Sequence, residues 1–334
     1  MKNLCALLAA GLLWQLAACS GTTVPAAPLG GAAGSGGGSG GGGGSGLGRP
    51  VGNPQPRSGG PAGGWHGGPR YGAHCAAPPV IAHRGEGGTI APVPENSAIA
   101  ELAALRQGAS LLDVDVRWTS DDVPVVIHDP TLNRTTTGSG PVASVTAAQF
   151  TALGVRTNDG RRVLPRLHPQ TLAQLLAALK GTETRRNAAP IIVQMEADPF
   201  AGGAGQSSIN ALISVIAASG YGGKIVVGGW SADDVSAFSA SAPGIRTAYI
   251  QESGNPSAAS IRAAGASILY IDFAKLTPSQ VAAWHRGGIT VWAWTPAHAS
   301  QWARLRTMGV DAIATNWVGS YTHWARPCAA VLPK

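Results

Sequence analysis

Short apolar runs recur along the chain, each followed by a longer stretch with one apolar face. Residues Val80–His83, Leu111–Asp115, Ile191–Glu196, Ile225–Gly229, Arg246–Ile250, Ile268–Asp272, Thr290–Trp294 and Ala312–Thr315 make up the runs. They are short and mostly rich in Val and Ile, which predicts strands. The stretches between them read as helices. Thr171 caps one that carries Leu172, Leu175, Leu176 and Leu179 on a single face and ends at Gly181. Ser97 caps another with Ile99, Leu102 and Leu105, and further helices fit Ile209–Ser219, Ala232–Ala240, Ser257–Ala264, Pro278–Arg286 and Ala299–Met308. Eight strands alternating with helices predict an α/β chain folded as a (β/α)8 TIM barrel. A doubly wound open sheet is the alternative, and so regular a repeat disfavours it.

One region breaks the rhythm. Val123–His128 follows the second strand after only the polar turn from Thr119 to Asp122, too short a connection for a parallel crossover. The segment must therefore return antiparallel, as a β-hairpin. A loop-rich stretch from Pro130 to Pro169 comes next, so an insertion covering about residues 116–170 follows the second barrel strand. Loops of that length inside a compact domain usually serve binding.

The first part of the chain has a different character. Residues 1–18 carry Lys2, an apolar run from Leu4 to Leu16 and small residues before Cys19, the pattern of an export signal and too short a run for a membrane span. Leu16-Ala17-Ala18-Cys19 resembles the lipobox of bacterial lipoproteins, which implies cleavage before Cys19 and its acylation. Each buried methylene of such an anchor contributes about 0.8 kcal/mol. Residues 19–74 are dominated by Gly, Pro, Ala and Ser and have no face to bury, so they form a linker reaching roughly 40 Å. The folded domain is then 75–334. The expected location is an exported protein anchored to a bacterial membrane, the outer membrane if Ser20 acts as the sorting residue.

The formal charge of +7 comes without any Lys/Arg block, so no nucleic-acid partner is expected, and a monomer is. Of four cysteines, Cys5 leaves with the signal and Cys19 is lipidated. Cys75 and Cys328 remain at the two ends of the domain, which meet in a closed barrel; an exported chain would bridge them. Two free thiols are the alternative.

Only 12% of residues are charged, yet acids cluster between Glu86 and Asp198. His83 and Arg84 end the first strand, Asp113 and Asp115 the second, His128 the hairpin return, Glu196 the third barrel strand and Trp294 the seventh. Strand ends are where a barrel keeps its chemistry. Asp113 and Asp115 are two apart, so both side chains look to one face. Carboxylates bind a hard cation, arginine binds phosphate, and paired histidines pass protons. Together these point to cleavage of a phosphodiester.

His83-Arg84-Gly85, Pro94-Glu95-Asn96-Ser97, Asp115-Val116, Val125-Val126-Ile127-His128-Asp129 with Arg134-Thr135-Thr136, Trp294-Thr295 and Gly309-Val310-Asp311-Ala312-Ile313 resemble the glycerophosphodiester phosphodiesterase family, in its order, from about Pro78 to Trp324. The resemblance implies a barrel with an insertion after its second strand, and metal-dependent release of an alcohol and glycerol 3-phosphate from a glycerophosphodiester. It also implies that His83 and His128 are the acid–base pair, in an order left open. By the same carry-over Arg84 clamps the phosphate, Asp113 and Asp115 hold Ca2+ or Mg2+, Trp294 walls the pocket, and Glu95 is an outer ligand or part of the phosphate network.

The chain also departs from the family. Its usual Glu-x-Asp is Asp113-Val114-Asp115 here, and its Glu-x-Lys aligns with Gln194-Met195-Glu196, so the phosphate-binding lysine is missing. Glu196 is then expected to serve as a metal ligand, with Gln194 offering a carbonyl in the pocket. The family's closing Thr-Asp is Thr315-Asn316. Alternatives are a phospholipase acting on intact phospholipid and a non-catalytic surface lipoprotein that keeps the barrel.

Overall fold

The computed structural model describes residues 77–87, 93–181, 189–196 and 205–329. The signal-like segment, Cys19, the linker and Cys75 lie outside the described residues, and with Cys75 so does the bridge to Cys328.

The first strand, β1 (Val80–His83), leads into α1 (Ala98–Arg106) and β2 (Leu111–Trp118). β3 (Pro124–Val126) returns along β2 antiparallel, with Val116 opposite Val126. The insertion then contributes α2 (Ala147–Thr151) and a two-stranded ribbon of β4 (Val155–Arg156) and β5 (Val163–Leu164). Regular alternation resumes with α3 (Leu172–Lys180), β6 (Ile191–Met195), α4 (Gln206–Ser219), β7 (Ile225–Gly229), α5 (Ala232–Ser241) and β8 (Arg246–Gln251). It closes with α6 (Ala258–Ala263), β9 (Ile268–Asp272), α7 (Pro278–Arg286), β10 (Thr290–Trp294), α8 (Ala299–Met308), β11 (Ala312–Thr315) and α9 (Val318–Ala329).

Parallel pairing runs β1-β11-β10-β9-β8-β7-β6-β2, and the β1–β2 pair shuts the ring, so the eight strands form a closed barrel. Closure removes every unpaired edge from the ring. Because each strand is covered inside and out, the runs read as continuous apolar stretches instead of alternating ones. One core fills the barrel, with Ile81, Ile192, Val226 and Tyr270 among its members. A larger one lies between strands and helices, and a third, around Val125, Leu132 and Phe150, supports the insertion.

Two details refine the sequence reading. The Ser97 hydroxyl accepts from the Ala100 N–H, as a cap at the start of α1 should, a contact worth about 1 kcal/mol. The deeply buried face of α1 is nevertheless Ala100, Glu101, Ala103 and Ala104, while Ile99 is exposed. Small residues let the helix lie hard against the loop after β1. A Cβ on Gly85 (φ +86°) would stand 2.5 Å from the Ala100 Cβ, so only glycine fits between His83-Arg84 and the helix.

Candidate active site

The C-terminal ends of the barrel strands surround a cavity of about 210 Å³. His83, Arg84 and Asp115 line one side, and Trp230, Glu252 and Trp294 the other, with His128, Gln194, Glu196 and Tyr270 between.

The two histidines are held in different ways. His83 Nδ1 lies 2.7 Å from Asn316 Oδ1, just past β11. An amide oxygen only accepts, so the proton sits on Nδ1 and the lone pair on Nε2. Burial, followed by the neighbouring Arg84 charge, lowers the His83 pKa to about 4. His83 is therefore neutral at pH 7. His128 Nδ1 donates instead to the Asp129 carboxylate at 3.0 Å. Burial works against its charge, but Asp129 and Asp115 outweigh it and raise the pKa above the ordinary value. The two rings thus differ in protonation preference inside one cavity.

An ion-pair ladder fixes this side. Arg134 grips Asp129 through Nε and Nη2, both at 2.8 Å, and also reaches Glu95 at 2.7 and 3.0 Å. Glu95 in turn meets Arg84 Nη1 at 3.3 Å, and Arg84 Nε lies 3.0 Å from Asp115. The insertion supplies Arg134 and also Asn158, whose side-chain oxygen accepts from the Glu95 N–H. Arg84 (φ 57°) and Asn96 (φ 54°), both in contact with Asp115, take left-handed backbone, unusual for a non-glycine residue. Strain at such positions gathers at functional sites. Asn96 is more than a neighbour of the cap: its side-chain amide donates to the Asp115 carboxylate and accepts from the Asp115 N–H. Arg117 of β2 steadies the opposite wall, donating to the His128 carbonyl at 2.6 Å and lying 3.7 Å from Glu196.

The expected metal set does not come together. Asp113 and Asp115 do share a face, but at different depths. Asp113 is fully buried one layer below the cavity, where Gln194 donates to its Oδ1 and the Tyr270 hydroxyl to its Oδ2. Burial and the nearby Asp115 push the Asp113 pKa well up. Asp115 stays ionised because Arg84, followed by His128, outweighs its burial, and its Oδ1 is buried without a partner among the described residues. Glu196 does reach the cavity, yet its Oε1 accepts from the Trp230 indole at 3.1 Å, and burial with Asp115 raises its pKa to about 7. Among the described residues no three His, Cys, Asp or Glu side chains gather to hold an ion. The Arg84 guanidinium lies against Asp115 and Glu95, so a cation already neutralises them. As a donor set, Asp113, Asp115 and Glu196 do not fit a divalent metal. Asp113 departs from the expectation, because each of its two oxygens accepts from a protein donor, Gln194 or Tyr270, below the cavity.

Beneath this layer Glu101 of α1 is buried with neither carboxyl oxygen partnered among the described residues. Burial, Asp113 and Asp115 all raise its pKa.

Of the residues the sequence singles out, His83, Arg84, Asp115, His128, Gln194, Glu196 and Trp294 line the cavity. Glu95 stands behind the wall as the link between Arg84 and Arg134. The reading gave no role to Asp129, Arg134, Arg117, Tyr270, Trp230 or Glu252. Trp230 and Glu252 are the first residues past β7 and β8, so the strand-end rule that found Trp294 would have found them.

Comparison with known proteins adds to this geometry. The model of the glycerophosphoryl diester phosphodiesterase family matches residues 83–320. "Putative glycerophosphodiester phosphodiesterase YhdW" of Bacillus subtilis (strain 168) is 27% identical over 242 residues, 71% of this chain and 94% of that one. A crystal structure from Silicibacter pomeroyi DSS-3, described in like terms, superposes with a TM-score of 0.69 at 25% identity, covering 77% of this chain and 95% of the other. A phosphodiesterase of Oleispira antarctica, solved with the product sn-glycerol-3-phosphate, shares the fold at a TM-score of 0.64 and 22% identity, over 75% of this chain and 97% of that one.

Proposed function

The chain belongs to the glycerophosphoryl diester phosphodiesterase family, whose members are phosphoric diester hydrolases and generally depend on a divalent metal; from that premise we propose that it cleaves glycerophosphodiesters to glycerol 3-phosphate and an alcohol with His83 as base and His128 as acid. One observation carries the assignment of roles. Each ring spends Nδ1 on a partner, and the partners differ: a neutral amide for His83, a carboxylate for His128.

Both Nε2 atoms are left to the substrate. Neutral His83 takes a proton from the attacking water as the new P–O bond forms. The bond to the headgroup oxygen breaks, and His128, carrying a proton on Nε2, gives it to the leaving alkoxide. Asp129 steadies the charged His128 ring beforehand, and Asn316 keeps His83 in the tautomer that can accept. The guanidinium of Arg84 binds the non-bridging phosphate oxygens, its orientation preset by Glu95 and Asp115. Asp113 supports this arrangement from below by locking Gln194 and Tyr270. No step is assigned to a metal, since the donors present do not make its site.

Turnover tests this reading. The full-length chain is expected to release glycerol 3-phosphate from glycerophosphocholine, and His83→Ala to abolish most of the rate. No release from any glycerophosphodiester, with Ca2+ or Mg2+ supplied, contradicts it. We also propose that residues 1–18 are removed, that residues 19–74 tether a domain starting near residue 75, and that Cys19 anchors the exported chain. Labelling with a radioactive fatty acid that persists in Cys19→Ser contradicts the anchor.

A further inference from the structure

The far side of the cavity is chemically unlike the phosphate side. In the ring order β1-β11-β10-β9-β8-β7-β6-β2, strand β8 stands four places from β1 in either direction. Glu252, the first residue after β8, therefore faces Arg84 and His83 from across the mouth, and Trp230, after β7, stands beside it. Trp230 and Trp294 meet edge to face with ring centroids 5.9 Å apart. The Trp230 N–H is committed to buried Glu196, which fixes the indole. A second lobe of about 380 Å³ continues outward, sharing His128, Glu196, Trp230 and Glu252 with the first. Among the described residues no Lys or Arg lines that lobe, and Arg84 is the only one lining the inner cavity.

Position assigns the occupant of this side. His128 protonates the leaving oxygen and lines both lobes, so the leaving alcohol extends from His128 toward Trp230 and Glu252. Glu196 already lies 3.7 Å from Arg117, so Glu252 supplies the negative charge of the lobe, which repels an anionic headgroup and offers a neutral polyol hydrogen bonds but no charge partner. An ammonium group is matched on both counts, by aromatic faces and by carboxylates. We propose that the lobe lined by Trp230, Glu196 and Glu252, with Trp294 on its inner side, is a subsite for a positively charged, ammonium-bearing headgroup. The protein then prefers choline- and ethanolamine-type diesters over polyol diesters. This rests on the phosphodiesterase reading of the same cavity.

Two measurements on the full-length chain separate the inference from its premise. First, kcat/KM for glycerophosphocholine is compared with that for glycerophosphoglycerol, in the natural protein and in Glu252→Gln and Trp230→Phe. A cation held on an aromatic face and beside a carboxylate should favour choline by roughly tenfold or more, and each variant should lower that ratio several-fold. Equal rates on both substrates, with ratios unmoved by either variant, overturn the subsite while the phosphodiesterase reading stands. Secondly, tryptophan fluorescence is titrated with choline and with glycerol. If neither diester is turned over, the premise fails, and this titration still decides the subsite. A saturable response to choline alone, reduced in Glu252→Gln, supports it, and an equal response to both or to neither overturns it.

Discussion

The two halves of the barrel mouth are stabilised by opposite means. Around β1, β2 and the insertion, Asp129, Arg134, Glu95, Arg84 and Asp115 alternate in sign and touch in sequence. Around β6, β7, β8 and β10, two indoles stand with Glu196, which Arg117 approaches from behind, and with Glu252, and among the described residues no Lys or Arg lines the outer lobe. A half-buried ladder of this kind holds each group in one orientation, which suits a phosphate and two histidines that must meet the same atoms every turnover. The open half fixes an aromatic wall and leaves charge unbalanced, which suits recognition of whatever is expelled.

The difference sets the size of the effects expected. In the paired half, His83→Ala and His128→Ala each remove a proton-transfer partner and should lower kcat by roughly 10² to 10⁴. Trp230→Phe, in the open half, should shift selectivity with a much smaller loss of rate; losses of equal size would erase the contrast. A metal titration sharpens it further. Gln194→Glu replaces the donor that occupies Asp113 with a fourth carboxylate beside Asp113, Asp115 and Glu196, and ligand charge sets affinity for hard cations, so Ca2+ or Mg2+ should bind roughly tenfold tighter than in the natural protein. Calorimetry showing natural protein and variant equal would reinstate Asp113 as a ligand.

Protonation gives a finer probe. Asn316→Asp places a charge on the His83 Nδ1–H, and a hydrogen bond to a charged group is worth about 1.5–3 kcal/mol, or one to two pH units. The His83 pKa should rise from about 4. His83 acts only when neutral, so the acidic limb of kcat/KM should move to higher pH. Below both halves, Glu101 should leave a smaller trace in stability. Its folded pKa is raised, so the folded state keeps a proton that the unfolded state releases. The contribution is whole below the unfolded pKa and is lost as pH rises, by at most about 1.4 kcal/mol per unit. Urea unfolding between pH 5 and 8 should show a shallower decline for Glu101→Gln.

The barrel was legible because its strands are covered on both faces, so Val- and Ile-rich runs mark nearly every one within a residue or so. The hairpin followed from the brevity of the Thr119 to Asp122 turn. The last helix, α9, was missed: Val318 and Tyr321 are deeply buried, but too few apolar positions repeat to show a face. At the site, strand ends revealed the histidines, Arg84 and Asp115, because alternation fixes direction. Alternation says nothing of depth, so Asp113 looked equivalent to Asp115 although it lies a layer lower. Arg134 was opaque for another reason. It sits in a loop without periodicity, and only the folded insertion brings it to Glu95 and Asp129.

The unequal pair of histidines is the centre of the account, and it can be read directly. With 15N-labelled histidine in the full-length chain, nitrogen shifts followed from pH 3.5 to 8 report both pKa and tautomer. The expected result is a neutral His83 with its proton on Nδ1 down to about pH 4, and a His128 that titrates above 6.5. Two rings titrating together, or a His83 protonated on Nε2 at neutral pH, would contradict it.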